Sequence, residues 1–237
     1  MAQFDDRFQR VRDYYDDEYY QGKGSAPEGA LPWHYRVIAR RLGDLRERAV
    51  LDVACGSGEW LGLLAGLGAK PAGIDISTRA IEMCRQRFVE GEFAVGPAES
   101  LPFADASFDL VTCMGSLEHF LDPDAALREM LRVAKPAAQF LLLVPNAGFL
   151  TRRLGLYGGT GQTRVQEVVR TLDGWKALFE NAGMRVTARW RDLHMLTAEW
   201  ILRDGTLRAL PRLAQAALLP LWPLGWQYQV HHLCVRR

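Results

Sequence analysis

What the 237-residue chain has little of narrows the possibilities first. It carries only four cysteines, Cys55, Cys84, Cys113 and Cys234. They are widely spaced, with no C-x-x-C pair and no histidine at ligand spacing, so neither a zinc knuckle nor a disulfide framework is written here. They read as small apolar core residues of a reducing compartment. Charge of one sign is also missing: 29 basic against 28 acidic residues leave a formal net charge of +1. That balance argues against a nucleic-acid binder. No apolar run reaches the ~20 residues of a membrane span, and the polar, acidic start from Met1 to Glu18 lacks a secretory pattern, so the expected location is the cytoplasm.

What is present is an alternation. Apolar segments at 49–54, 70–76, 92–95, 108–114 and 139–144 read as strands, and helices start near Gly58, Thr78 and Pro123. Such alternation predicts a parallel sheet with helices on both faces. Residues 4–20 and 33–46 have helical periodicity and are separated by a Gly/Pro/Ser loop. After an irregular stretch at 146–170, a helix is expected from Leu172, with Asp173 as N-cap, to Gly183. Strands six and seven follow at 184–192 and 228–236. The expected fold is therefore an α/β, Rossmann-like, seven-stranded, mostly parallel sheet with an antiparallel last strand. The length suits one domain over 1–237, with an N-terminal helical cap at 1–46, a core at 47–146 and a second half at 147–237. That half holds an insert at 193–226 and 13 basic against 6 acidic residues.

The most informative segment is Val50-Leu51-Asp52-Val53-Ala54-Cys55-Gly56-Ser57-Gly58, a strand that breaks into a glycine turn before a helix. Glycines without Cβ admit a ligand close to the backbone, and the unpaired N–H groups of the helix start face it. Leu61 stands where a dinucleotide fingerprint requires its third glycine, which weakens a nicotinamide or flavin reading. Asp75, ending the second strand, is placed to accept hydrogen bonds from ribose hydroxyls.

Four ordered motifs carry a resemblance. The glycine turn resembles motif I of the class I S-adenosylmethionine-dependent methyltransferases, within a group similar to the ubiquinone-pathway and natural-product O-methyltransferases. Ala98 to Val111 resembles the "AExLPFxDxSFDxV" signature of that family. Leu117-Glu118-His119 with Asp122-Pro123 resembles its "LEH...DP" segment, and Arg128 to Pro136 its "REMLRVLKPGG" turn. The chain departs from the pattern at Trp60, Pro97 and Ala137-Ala138. Trp60 reads either as an apolar wall over the cofactor or as a core aromatic. Pro97 offers neither an N–H nor a carboxylate to an adenine ring.

The resemblance implies S-adenosyl-L-methionine as cofactor, S-adenosyl-L-homocysteine as product and a small-molecule acceptor, with O-methylation ahead of N- or C-methylation. A cofactor-binding protein without turnover is the contrasting reading. The implied cofactor set is Arg36, Asp52, Ala54, Gly56, Gly58, Asp75, Ile76, Ala98, Glu99, Met114 and Gly115, with Arg36 placed where relatives reach the methionine carboxylate. His119 is the expected general base, and Tyr15, Tyr19, Trp33, Phe149, Tyr157 and Trp200 the expected acceptor pocket. His231 and His232, on opposite faces of one strand, are expected to bind no metal. Pro211, Pro220 and Pro223 are expected to cut any helix in the insert to about 212–219, too short to span a bilayer. The insert is then a lid over the acceptor or a peripheral membrane surface.

Overall fold

The computed structural model describes residues 2–20, 31–155, 167–202 and 206–237. Seven strands form one sheet: β1 (Ala49–Val53), β2 (Lys70–Asp75), β3 (Glu92–Val95), β4 (Phe108–Met114), β5 (Ala134–Pro145), β6 (Met184–Arg191) and β7 (Gln229–Arg236). Their order is β3-β2-β1-β4-β5-β7-β6. The first five are mutually parallel, while β7 runs antiparallel to both β5 and β6. Consecutive strands step outward from β1 to β3, and the chain then returns to lay β4 on the other side of β1. A crevice opens outside the carboxyl ends of the strands at that reversal.

Both faces of the sheet are covered because inner-strand side chains alternate between two apolar layers. Leu51, Val53, Val111 and Phe140 pack on one face with Leu127 and Met130 of α5 (Pro123–Val133) and Trp175 and Phe179 of α7 (Leu172–Ala182). Val50, Leu110 and Leu141 pack on the other with Ile38 of α2 (Trp33–Arg40), Trp60, Leu61 and Leu64 of α3 (Glu59–Ala65) and Ile81 of α4 (Thr78–Arg87). All four cysteines are buried free thiols. Fully enclosed Trp175 also donates its indole N–H to the Pro145 carbonyl at 2.6 Å, pinning α7 to the end of β5.

Several local expectations are corrected. Thr171, not Asp173, caps α7, because its hydroxyl accepts the Gly174 N–H at 3.1 Å. The helix expected to reach residue 46 ends at Arg40, and the turn beyond it places Gly43 at φ +83°. The N-terminal segment is helical over α1 (Ala2–Tyr14) and widens into a π-type turn at Tyr15–Tyr19. The loop after β5 forms a short helix, α6 (Leu150–Arg153). In the insert, α8 (Ala198–Leu202) is followed by α9 (Thr206–Leu218), which continues through Pro211 instead of starting after it. A proline there removes one backbone hydrogen bond from a thirteen-residue helix, which the remainder tolerates. No helix among the described residues is long and apolar enough to cross a membrane.

Candidate active site

The first site is built around a carboxylate and a glycine turn. At the end of β1 the backbone enters the left-handed region at Ala54 (φ +61°) and again at Gly56 (φ +54°) and Gly58 (φ +78°). Among the described residues Ala54 is one of three non-glycine residues in that conformation, a local cost borne at the crevice floor. Asp75, at the end of β2, holds the turn: its Oδ2 accepts the Gly56 N–H at 2.9 Å and its Oδ1 the Ser77 N–H at 2.9 Å. Burial pushes the Asp75 carboxyl up to about 6, partly offset by those backbone hydrogen bonds.

The crevice contains about 820 Å³ of open space including its mouth. Ala54, Asp75, Ile76, Ala98, Glu99 and Gly115 of the expected cofactor set line it, with His119, Tyr15 and Tyr19. Phe8, Val11 and Tyr20 close it from the N-terminal segment. That segment is tied down at the loop after β2. Asp16 Oδ1 accepts the Ser77 hydroxyl at 2.5 Å, and the Arg12 guanidinium donates to the Ile76 carbonyl at 3.2 Å. Burial, reinforced by the charge of Asp75, holds the Tyr15 and Tyr20 hydroxyls protonated well above their ordinary range.

Other expected cofactor residues lie elsewhere. Asp52 is buried beneath β1, where its Oδ1 accepts the Thr112 hydroxyl at 2.6 Å, and burial raises its carboxyl to about 8. Thr112 also takes the Trp60 indole N–H at 3.2 Å, so Trp60 is a core aromatic and not a wall of the crevice. Gly58 faces α4: a Cβ there would stand 2.9 Å from Cys84 Sγ and from Phe88. Gly56 is outside the lining but next to it, its Cβ position lying 3.0 Å from the hydroxyl of the lining residue Tyr20. Met114 packs into the layer around Trp60, and Arg36 and Trp33 are exposed on α2, outside the crevice lining. Glu99 Oε1 accepts the N–H groups of Leu121 and Asp122 at 2.9 and 3.1 Å, so it also fixes the loop that carries His119.

The expected acceptor residues do not share one wall. Phe149 and Trp200 line a second pocket, with about 580 Å³ of open space including its mouth, together with Met195, His194, Trp222, Trp226 and Tyr228. It lies over the β5, β7 and β6 half of the same sheet edge, since Pro145 pairs with Gln229 and Arg191 with Val230. The two sites adjoin at Gly115, a crevice residue whose Cβ position is 3.6 Å from the Gln229 side chain, next to Tyr228. Tyr157 lies outside the described residues. Tyr228 and His194 were not expected at the site: Tyr228 reads as the first residue of the last strand, and His194 sits in no motif. Nor were Phe8 and Val11, which read as an ordinary helix face. Among the described residues no cluster of His, Cys, Asp and Glu is arranged to hold a metal ion.

The parallel sheet that reverses at β1, with a crevice above the reversal, is a fold shared with an S-adenosylmethionine-dependent methyltransferase of Mesorhizobium loti, at a TM-score of 0.64 and 16% identity over 88% of this chain and all of that one. The resemblance carried by the motifs holds: residues 51–142 match the family model described as a methyltransferase domain. Over 127 residues the chain is 35% identical to demethylmenaquinone methyltransferase of Thermotoga maritima, covering 52% of this chain and 55% of that protein. Over 131 residues it is 35% identical to ubiquinone biosynthesis O-methyltransferase of Alkalilimnicola ehrlichii, covering 53% of each. The matched region thus spans about half the length of these curated relatives. The fold is shared with Burkholderia thailandensis 1,6-didemethyltoxoflavin-N1-methyltransferase, solved with its substrate and S-adenosylhomocysteine. The TM-score is 0.66 at 16% identity, over 98% of this chain and 89% of that one.

Proposed function

We propose that the chain binds S-adenosyl-L-methionine in the crevice and methylates a small-molecule acceptor held in the adjoining aromatic pocket, leaving S-adenosyl-L-homocysteine. One observation carries the proposal: the Asp75 carboxylate stands at the carboxyl end of β2, on the crevice wall, already locked to the glycine turn. Its remaining lone pairs suit two ribose hydroxyls. Ile76, Ala98 and Pro97 supply flat apolar walls for a purine, and Ala54 and Gly115 bring bare backbone to the methionine end. The cofactor supplies an electrophilic methyl group on a sulfonium. The chain's task is to align the acceptor oxygen with that methyl group, exclude water and take up a proton. Phe8, Val11 and the tyrosines of the N-terminal segment exclude water; the aromatic pocket orients the acceptor.

O-methylation of a ring hydroxyl is favoured by the aromatic lining of the pocket and by the name of one half-length relative. Calorimetric titration with S-adenosylmethionine tests cofactor binding. A labelled methyl donor mixed with a metabolite extract tests turnover: a labelled product soluble in organic solvent supports the proposal. Tight cofactor binding with no labelled product from any fraction makes the chain a binding protein.

A second reading of the acceptor has its own observation. Leu210 and Leu221 are 73% and 82% exposed, with Leu213 and Leu218 half-exposed beside them. This face stands next to the pocket that Gln215 and Trp222 line, and exposed Arg152 and Arg153 belong to α6, whose Leu150 and Thr151 line the same pocket. Such a surface suits an acceptor carried in an anionic lipid layer. Sedimentation with anionic vesicles that is lost on Leu210→Glu/Leu221→Glu supports it, and a protein that stays in the supernatant excludes it.

A further inference from the structure

At the mouth of the insert, Asp192 and His194 form a pair that no motif marks. Asp192 is 5% exposed, yet it is ionised at neutral pH: burial pushes its carboxyl up, and the hydrogen bonds it accepts from His194 help to bring it below its ordinary value. Its Oδ2 lies 2.5 Å from His194 Nδ1, and its Oδ1 accepts the His194 backbone N–H at 3.1 Å. An ionised carboxylate can only accept, so Nδ1 carries the ring proton and Nε2 is left as the acceptor nitrogen. This is the arrangement in which a base is oriented by a third group.

The ring is held in place. The Thr197 hydroxyl donates to the His194 carbonyl at 2.7 Å, and Trp200 lies edge-on to the imidazole with centroids 6.1 Å apart. Arg212 fixes Trp200 from the far side, stacking at 5.2 Å and donating to its carbonyl at 2.9 Å. The titratable groups facing the pair from other elements are His34 and Tyr35 on α2 and His231 on β7. Burial lowers both histidines, His231 to about 4, and raises the Tyr35 hydroxyl, so all three are neutral at pH 7 and bring no charge to the pair. His194 lines the aromatic pocket; His119 lines the cofactor crevice.

We infer that His194, oriented by Asp192, takes the proton from a phenolic or quinol hydroxyl seated among Phe149, Trp200, Trp222 and Tyr228. The O–H bond breaks, the electron pair stays on oxygen, and the proton forms a bond to Nε2, giving an imidazolium paired with the Asp192 carboxylate. The inference rests on the proposed methyltransferase reading and assigns the base to the pocket instead of to His119.

The test uses 4-nitrocatechol, whose absorbance reports its own ionisation, with the 237-residue chain and no cofactor. At a pH where the free probe is protonated, the wild type is expected to bind it in ionised form, and histidine NMR is expected to show His194 gaining a proton. His194→Gln should weaken binding about tenfold, the usual size of a lost charge-assisted hydrogen bond, and return the bound probe to its protonated spectrum. Asp192→Asn should do the same in part, and His119→Gln should not. Melting curves establish that each variant is folded, and the NMR result on the wild type stands without them. Absence of probe binding, binding without ionisation, or ionisation lost in His119→Gln and kept in His194→Gln would overturn the inference. Failure of S-adenosylmethionine to bind in a separate titration would instead remove the methyltransferase reading.

Discussion

The Gly56 N–H donates to Asp75 Oδ2 across 2.9 Å, joining the turn after β1 to the acid that ends β2. The cofactor loop is therefore pre-shaped by the group proposed to bind the ribose. Its titration then has a visible effect. Asp75 is raised from 3.8 to about 6, chiefly by burial. The protein without cofactor therefore loses stability as pH rises from about 4 to about 6, because the folded state keeps a proton that the unfolded chain has released. Cofactor affinity has the opposite slope, since ribose hydroxyls donate to the ionised form. Calorimetry at pH 7 and pH 5 should show affinity falling about tenfold at the lower pH, and Asp75→Asn should flatten the difference.

Gly58 and Gly43 have similar positive φ values, +78° and +83°, but different surroundings. A Cβ at Gly58 meets Cys84 and Phe88 at 2.9 Å, whereas one at Gly43 meets nothing within 4 Å. Gly43→Ala should cost about 1–2 kcal/mol from backbone strain alone. Gly58→Ala adds overpacking of about 1–3 kcal/mol. Thermal melts of the two variants should differ accordingly, with Gly58→Ala the lower.

Asp16 links the N-terminal segment to the start of α4 through Ser77 and the Arg79 N–H. Asp16→Ala should cost the fold about 0.5–2 kcal/mol, the range for a lost cap. Stopped-flow measurement should show S-adenosylmethionine leaving about tenfold faster, the effect of one lost charge-assisted hydrogen bond on the closed segment. An unchanged dissociation rate would mean that this segment does not close over the cofactor.

Trp222 lines the aromatic pocket and its indole N–H donates to the Trp226 carbonyl at 3.2 Å. Trp222→Ala should raise acceptor KM and leave cofactor affinity unaltered, because the residue is absent from the crevice. Loss of cofactor binding in that variant would show that the two sites are not separate.

The core was legible because its signals are local. β3 and β4 begin and end where apolar runs meet turn residues, and Gly183 stops α7 in the left-handed conformation expected of a helix-ending glycine. The α7 cap was misread because Thr171 and Asp173 both suit that role, and only the fold decides which one faces the Gly174 N–H. The division of the aromatic residues between two pockets was not legible. It depends on antiparallel β7, which brings 222–228 beside 149 and 192–200 from far along the chain. The Asp192–His194 pair escaped notice for a related reason: two polar residues two apart at a strand end look like an ordinary turn until the buried carboxylate is seen.

The most direct measurement is calorimetric titration of the wild type and Asp75→Ala with S-adenosylmethionine. One cofactor should bind per chain, and Asp75→Ala should weaken binding by about 1.5–3 kcal/mol, the range for hydrogen bonds to a charged group, while melting cooperatively. A wild type that gives no binding, or a folded Asp75→Ala protein with unchanged affinity, would contradict the assignment of this crevice to the cofactor.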